Sequence, residues 1–173
     1  MQNRAAHPMA LPCLLDRLTD DSPGSSVEVE SQQPWSRPNY YRELVLRDLA
    51  WLLNTGLRKE ESERPGLEHL AASGFSFGIP ALAGRVLGQD DIFGIRASII
   101  LAVKRFEPRI DPESVEVKIS NSSGDSRTNV LVIQISGRLW FKPSAIGFQV
   151  RTFMDLDRGD FRIDSSGTSE RGE

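Results

Sequence analysis

The apolar residues of this chain keep two different rhythms, and the change between them falls at Glu107-Pro108-Arg109. Before it, Ile92, Ile95, Ile99, Val103 and Phe106 recur every three or four residues, with Ile100 and Leu101 beside them. That spacing predicts an amphipathic helix of about 17 residues opening at Gln89-Asp90-Asp91. Its acidic first turn and the Lys104-Arg105 pair in its last turn both suit the helix dipole. After Pro112, Val115, Val117 and Ile119 alternate with Glu116, Lys118 and Ser120, the period of a half-buried strand. Pro108 forces the break, because its ring fixes φ, removes a donor and turns Glu107 away from α geometry. A carboxylate and a guanidinium are thereby held on a stiff corner between a helical layer and a sheet. The tripeptide alone leaves two readings open, a helix stop with a local ion pair and a rigid recognition corner.

Upstream, Leu11, Leu14, Leu15 and Leu18 fall at i, i+3, i+4 and i+7, with Pro12 suited to a first turn, so a short amphipathic helix is expected. A helix this short has to dock, either on its own domain or on a partner. Residues 19–38 are rich in Asp, Ser, Pro and Gly and read as a linker. Residues 40–55 form the strongest helical pattern, with Tyr41, Leu44, Val45, Leu49 and Leu52 on one stripe and Trp51 and Leu53 widening it. Asn39 is placed as its N-cap and Gly56 as its C′ residue. Residues 58–65 are charged and loop-like, and 67–72 read as a helical turn. In Phe75-Ser76-Phe77-Gly78-Ile79-Pro80-Ala81-Leu82, Gly78 and Pro80 mark a structural turn.

Downstream, strands are expected over 115–120, 129–141, 148–156 and 161–163. Turn clusters separate them at 121–125, at Lys142-Pro143-Ser144 and at Asp157-Arg158-Gly159-Asp160, the last a hairpin signal. Gly137 is expected to mark a bulge. The fold class that follows is α+β, with helices packed on one face of a small, mainly antiparallel sheet of three to four strands. The expected organisation is an N-terminal tail with a short helix and linker (1–38), one domain (39–164) and a disordered tail (165–173).

Composition excludes several classes of function. The net charge is −3, which argues against a basic nucleic-acid surface. No apolar run reaches the ~20 residues of a membrane span, and the first fifteen residues make a poor signal peptide. The single cysteine, Cys13, forms no internal disulfide and fits a reducing compartment, so a cytoplasmic protein without membrane insertion is expected. His7 and His69 are far apart and Cys13 has no paired ligand in the sequence, so no metal site and no cofactor is expected. No phosphate loop and no Gly-x-Ser-x-Gly element is present.

Four stretches, in this order, resemble one family: Leu14-Leu15-Asp16-Arg17-Leu18, Arg47-Asp48-Leu49-Ala50-Trp51-Leu52-Leu53-Asn54-Thr55, Phe77-Gly78-Ile79-Pro80, and Glu107-Pro108-Arg109 between a helix and a strand. This is the lysozyme-like baseplate wedge family of contractile tails, which includes the type VI secretion subunit TssE. Ser76 and Ala81 depart from the family pattern, which has Asn and Asp at those positions. The resemblance implies a non-enzymatic structural subunit. Its implied partners are other wedge subunits (TssF, TssG and TssK-like) and sheath subunits (TssB/TssC-like), with strands interlaced between sheath and wedge protein. Glu107, Pro108 and Arg109 are the implied partner-binding residues. A phage-tail wedge protein fits the same residues, and the N-terminal leucine-rich piece favours the secretion member.

A lysozyme-like glycosidase is the competing reading. It needs one carboxyl kept protonated in an apolar site and a second carboxylate across the scissile bond. Arg105 and Arg109, each two residues from Glu107, favour the ionised carboxylate instead, so no catalytic residue is assigned.

Overall fold

A computed structural model describes residues 13–19, 37–57, 73–84, 89–121, 130–141 and 144–164. The expected helical turn at 67–72, the tails and most of the linker lie outside them. Among the described residues, three helices, α1 (Leu14–Leu18), α2 (Pro38–Asn54) and α3 (Gln89–Phe106), combine with six strands. These are β1 (Gly56–Leu57), β2 (Ile79–Pro80), β3 (Glu116–Asn121), β4 (Val130–Leu139), β5 (Ile146–Asp155) and β6 (Phe161–Asp164). Strands β3-β4-β5-β6 form an antiparallel sheet in chain order, and β1 and β2 form a short parallel pair. The protein is α+β, as the change of period predicts.

Register explains why the helices lie on one face of the sheet. Val117 pairs with Ile135 and Ile135 with Val150, while Leu131 pairs with Met154 and Met154 with Phe161. These buried residues share one face, and Tyr41, Val45, Leu49 and Leu52 of α2 and Ile95, Ile99 and Val103 of α3 close on it in a single core. The intervening residues, Lys118, Gln134, Arg151 and Asp164, form a polar row across the other face. A one-residue slip would exchange the two sets, so burial fixes the register. No helix among the described residues is long and apolar enough to cross a membrane.

Several local expectations are corrected. Asn39 does not cap α2: Arg37 is the N-cap and Pro38 occupies the first turn, where its missing N–H costs no helical bond. Gly56 follows the C-cap Thr55 but opens β1, with no left-handed turn. Gly137 marks no bulge, since pairing runs unbroken from Ser136–Gln149 through Gly137–Phe148 to Arg138–Gly147. Its value is space: a Cβ there would stand 3.0 Å from the Phe148 ring and 3.3 Å from Ser114 Oγ. Strand β5 is interior, with β3 and β6 forming the edges of the sheet.

Gly78 carries a real backbone constraint. Its φ is 125°, and a Cβ would collide with the Thr55 carbonyl oxygen, which accepts from the Ile79 N–H at 3.0 Å. This contact starts the β1–β2 pair, in which Gly56 faces Ile79 and Leu57 faces Pro80. Gly78→Ala should therefore cost about 2 kcal/mol or more, from strain plus the lost pairing, measured as a shift in the urea midpoint at constant slope.

Candidate functional site

The helix α3 ends at Phe106, and the chain turns through Glu107-Pro108-Arg109 into the sheet. The turn is stitched to the end of β4. The Asp111 N–H donates to the Arg138 carbonyl and the Trp140 N–H to the Arg109 carbonyl, both at 2.8 Å, with Ile110 bridging Leu139. The Asp111 carboxylate accepts from the Glu113 N–H at 3.1 Å and pairs with Arg138 at 2.7 Å. The Asp111 carboxylate is thus engaged by Arg138 at the end of β4.

Glu107 and Arg109 face inward. Glu107 is 4% exposed, and Pro108 between them is the exposed residue of the corner. Arg109 closes a fork on Glu107: its Nε donates to Oε1 at 2.6 Å, its main-chain N–H to the same oxygen at 3.2 Å, and its Nη2 to Oε2. Nη2 also donates to Asp48 Oδ2 of α2 at 2.5 Å. Asp48 Oδ1 accepts from Arg47 Nε and Nη2 at 2.9 and 2.7 Å, and Arg47 Nη2 donates on to Asp16 Oδ1 of α1 at 2.6 Å. One chain of charges, Glu107–Arg109–Asp48–Arg47–Asp16, therefore joins the corner to α2 and α1. Arg109 Nη1 makes no hydrogen bond among the described residues and lies 3.8 Å from Asp16 Oδ2.

The electrostatics follow from this wiring. Burial acts to lower the affinity of Arg109 for its proton, but the bonds from Glu107 and Asp48 outweigh it and hold the guanidinium more firmly charged than usual. Burial acts to raise the Asp16 carboxyl, yet hydrogen bonds from Cys13 and Arg47 hold it below its ordinary value of 3.8. The Tyr41 hydroxyl beside this network is pushed up to about 12, chiefly by burial. Its oxygen has no hydrogen-bond partner among the described residues, and its ring packs on Phe141 at 5.5 Å.

Cys13, Asp16 and Asp48 bring one ligand atom each within 4.8 Å of one another, a grouping that the sequence does not reveal. A cation already stands among them. Arg47 Nη2 lies 3.8 Å from Cys13 Sγ and contacts both carboxylates, which favours an internal ion-pair network over a metal site. A cavity of about 330 Å³ adjoins the network, lined by Leu15, Trp51, Phe77, Phe106 and Pro108 with Asp48, Glu107 and Arg109 at its polar side.

Sequence reasoning finds the corner and its internal ion pair but misses Asp16, Arg47 and Asp48. The available signals are an adjacent Arg-Asp on the long helix and a lone carboxylate inside a leucine stripe. Gly78 and Pro80, the expected turn residues, lie apart from this network, at the β1–β2 pair.

Fold and site together define a small α+β protein whose charged residues fasten its own layers to one another. Residues 39–144 match the family described as baseplate wedge protein gp25, and the chain belongs to that family, which includes TssE. No curated protein and no solved structure matches the chain. The family match takes in α2, the corner, β3 and β4, and leaves α1, β5 and β6 outside it.

Two outcomes test the network. Arg109→Leu strands the Glu107 carboxylate in the interior, takes one of two guanidinium partners from Asp48 and should destabilise by about 3–5 kcal/mol, whereas Tyr41→Phe removes an unpaired buried hydroxyl and should be neutral or stabilise by about 1 kcal/mol, both read from urea denaturation. Because the folded state favours ionised Asp16, its contribution is full above the unfolded value near 3.8 and is lost as pH falls below the folded value. Protection of the α1 amides, taken as the measured exchange rate against the intrinsic rate at each pH, should fall on acidification through that range, and in Asp16→Asn that fall should be absent.

Proposed function

We propose that this chain is a non-enzymatic wedge subunit of a type VI secretion baseplate, acting in the cytoplasm to join the wedge core to the contractile sheath and to template sheath assembly. The observation that carries the reading is the match of residues 39–144 to the baseplate wedge family. The internal wiring of the corner supports a structural role. Both Glu107 carboxylate oxygens accept from Arg109, whose Nη2 also reaches Asp48, so the corner's charges are committed to bonds within the subunit.

Within this reading, Glu107, Pro108 and Arg109 act together at the wedge core. The buried pair fixes the shape and Pro108 presents it, to subunits of the TssF, TssG and TssK kinds. Rigid complementary surfaces lose little freedom on binding, which favours a register fixed before assembly.

Sheath subunits of the TssB/TssC kind attach at the β6 edge. Asn54 of α2 already mimics a neighbouring strand there: its Nδ2 donates to the Phe161 carbonyl at 3.1 Å and its Oδ1 accepts from the Phe161 N–H at 2.9 Å. Phe161 therefore turns its main-chain groups away from β5. By the two-residue period, Ile163 turns its own N–H and C=O to the same outer side, where a strand from another chain can pair.

Hydrogen exchange checks this directly. In a complex reconstituted with the sheath subunits, the Ile163 amide should exchange at least about tenfold more slowly than in the free protein, while the Arg162 amide, directed at β5, changes little. Sheath binding with no added protection at Ile163 rules out attachment at this edge. Failure of the chain to co-purify with wedge or sheath subunits rules out the baseplate reading itself.

A further inference from the structure

The outer face of α3 carries two large apolar side chains in water. Phe93 is 64% exposed and Leu101 55%, while Ile95, Ile99 and Val103 of the same helix are buried in the core. Single exposed apolar residues are ordinary on a protein surface. The spacing of these two is symmetric. Phe93 stands four residues before Ala97 and Leu101 four residues after it, and Ala97 is itself exposed between them. At about 100° per residue the three fall within about 80° of one another, on the side turned away from the core.

The small residues lie at the middle of this face. Gly94, three residues before Ala97, is exposed, and a Cβ built there would meet nothing within 4 Å. Ile100, three residues after Ala97, is partly buried at the margin of the face. A second α3 laid antiparallel over the first, with both midpoints at Ala97, sets each Leu101 beside the other's Phe93 and each Ile100 beside the other's Gly94. Steps of three and four residues to either side of one centre make a heptad seam that reads the same from both ends.

Charge follows the same symmetry. The helix opens on Asp90-Asp91 and closes on Lys104-Arg105, and Arg96 is its remaining charge. In the antiparallel arrangement the exposed Asp91 comes level with the exposed Lys104 and Arg105 of the other copy, once at each end of the seam. A parallel arrangement sets like charges together at both ends. Arg96 stands about 100° round the helix from Ala97, outside the seam. Opposite charges at the two ends therefore select direction and register. An unrelated helix would have to supply a complementary pattern, whereas a second copy of this chain already carries it.

We propose that the outer face of α3 is a two-fold interface, at which two copies of this chain pair through antiparallel α3 helices. The interface is isologous, with Ala97 meeting Ala97 on the axis. Gly94 and Ala97 let the two backbones approach, and Phe93 and Leu101 are removed from water together. One helix on its copy is smaller than the interface of a permanent dimer, so the pairing is reversible and depends on concentration. The face includes no residue of the Glu107–Arg109 corner, and the pairing stands without the wedge reading.

The test is the oligomeric state of the full chain by sedimentation equilibrium, with circular dichroism on every variant. Wild type should be half dimeric at a concentration between about 10 μM and 1 mM, the affinity of a small reversible interface. Phe93→Asp and Leu101→Asp should each weaken association by tenfold or more while staying folded. In a Cys13→Ser background, Ala97→Cys should give a disulfide-linked dimer with an added thiol oxidant, because residues on the axis approach to the roughly 4.4–6.8 Å between Cα atoms that a disulfide spans. Arg151→Cys in the same background, on the opposite face of the sheet, should stay monomeric. Lys104→Glu/Arg105→Glu and Asp90→Lys/Asp91→Lys should each be monomeric alone and form a mixed dimer when combined. A wild type that is monomeric throughout this range overturns the proposal. So does a dimer that survives Leu101→Asp or fails to cross-link through Ala97→Cys, since the contact then lies elsewhere. Unfolding of both Asp variants overturns it as well, because these side chains would then be structural within the subunit. Charge variants that stay folded but form no mixed dimer overturn the antiparallel register.

Discussion

Arg109 is the residue on which the helical layer and the corner both depend. Its guanidinium presents a planar fork to Glu107 and reaches Asp48 with the same Nη2 that closes the fork. The pair at Glu107 is local, two residues apart, and fixes the turn after α3. The bond to Asp48 spans 61 residues of sequence and ties that turn to α2. A lysine could not make the two-pronged pairing at Glu107, since an ammonium is a point charge without a fork. Pro108 belongs to the same device. It ends the helix at the residue needed to bring Glu107 and Arg109 side by side, and it leaves no main-chain N–H between them to be satisfied.

Burying so much charge is a weak way to gain stability, because desolvation offsets most of the attraction, and an apolar cluster of similar volume serves as well or better. What charged bonds provide is direction. An apolar contact between α1 and α2 could slide or rotate at little cost, whereas a carboxylate held by Arg47 and by the first main-chain N–H of its own turn admits one orientation. The unpaired Tyr41 hydroxyl and the orphaned Arg109 Nη1 belong to the same interior, where geometry is held at some cost in hydrogen bonding.

The layers were legible in the sequence because periodicity reports burial. The stripes 41–44–45–49–52 and 95–99–103 became the helical face of the core, and the alternation 148–150–152–154 became the buried side of β5. Turn chemistry was legible at Asp157–Asp160 and at Gly78, where a single backbone contact with Thr55 demands glycine. Helix ends were less so: Asn39 has the better capping side chain, but the helix starts earlier, with Arg37 as N-cap and Pro38 in the first turn. Gly137 misled because a missing side chain signals close packing as readily as a bulge. The ion network was not legible as a network. Its carboxylates and guanidiniums lie on three separate segments, and no period relates Asp16 to Arg47 or Asp48 to Arg109.

The same limit accounts for α1. A leucine stripe predicts which residues share a face but not which way that face looks, because periodicity carries no information about what the helix packs against. In a long helix the apolar area decides, since it outweighs one or two polar contacts. In a helix of five residues the balance reverses: three leucines can gain little on a surface already closed by the α2 core, while one carboxylate beside Arg47 and a free main-chain N–H has nowhere better to go. Asp16 therefore takes the inside and the leucines the outside. In an isolated soluble protein that arrangement is a solubility burden. The polar bonds are made within the subunit, and the apolar side chains of α1 are left on its surface.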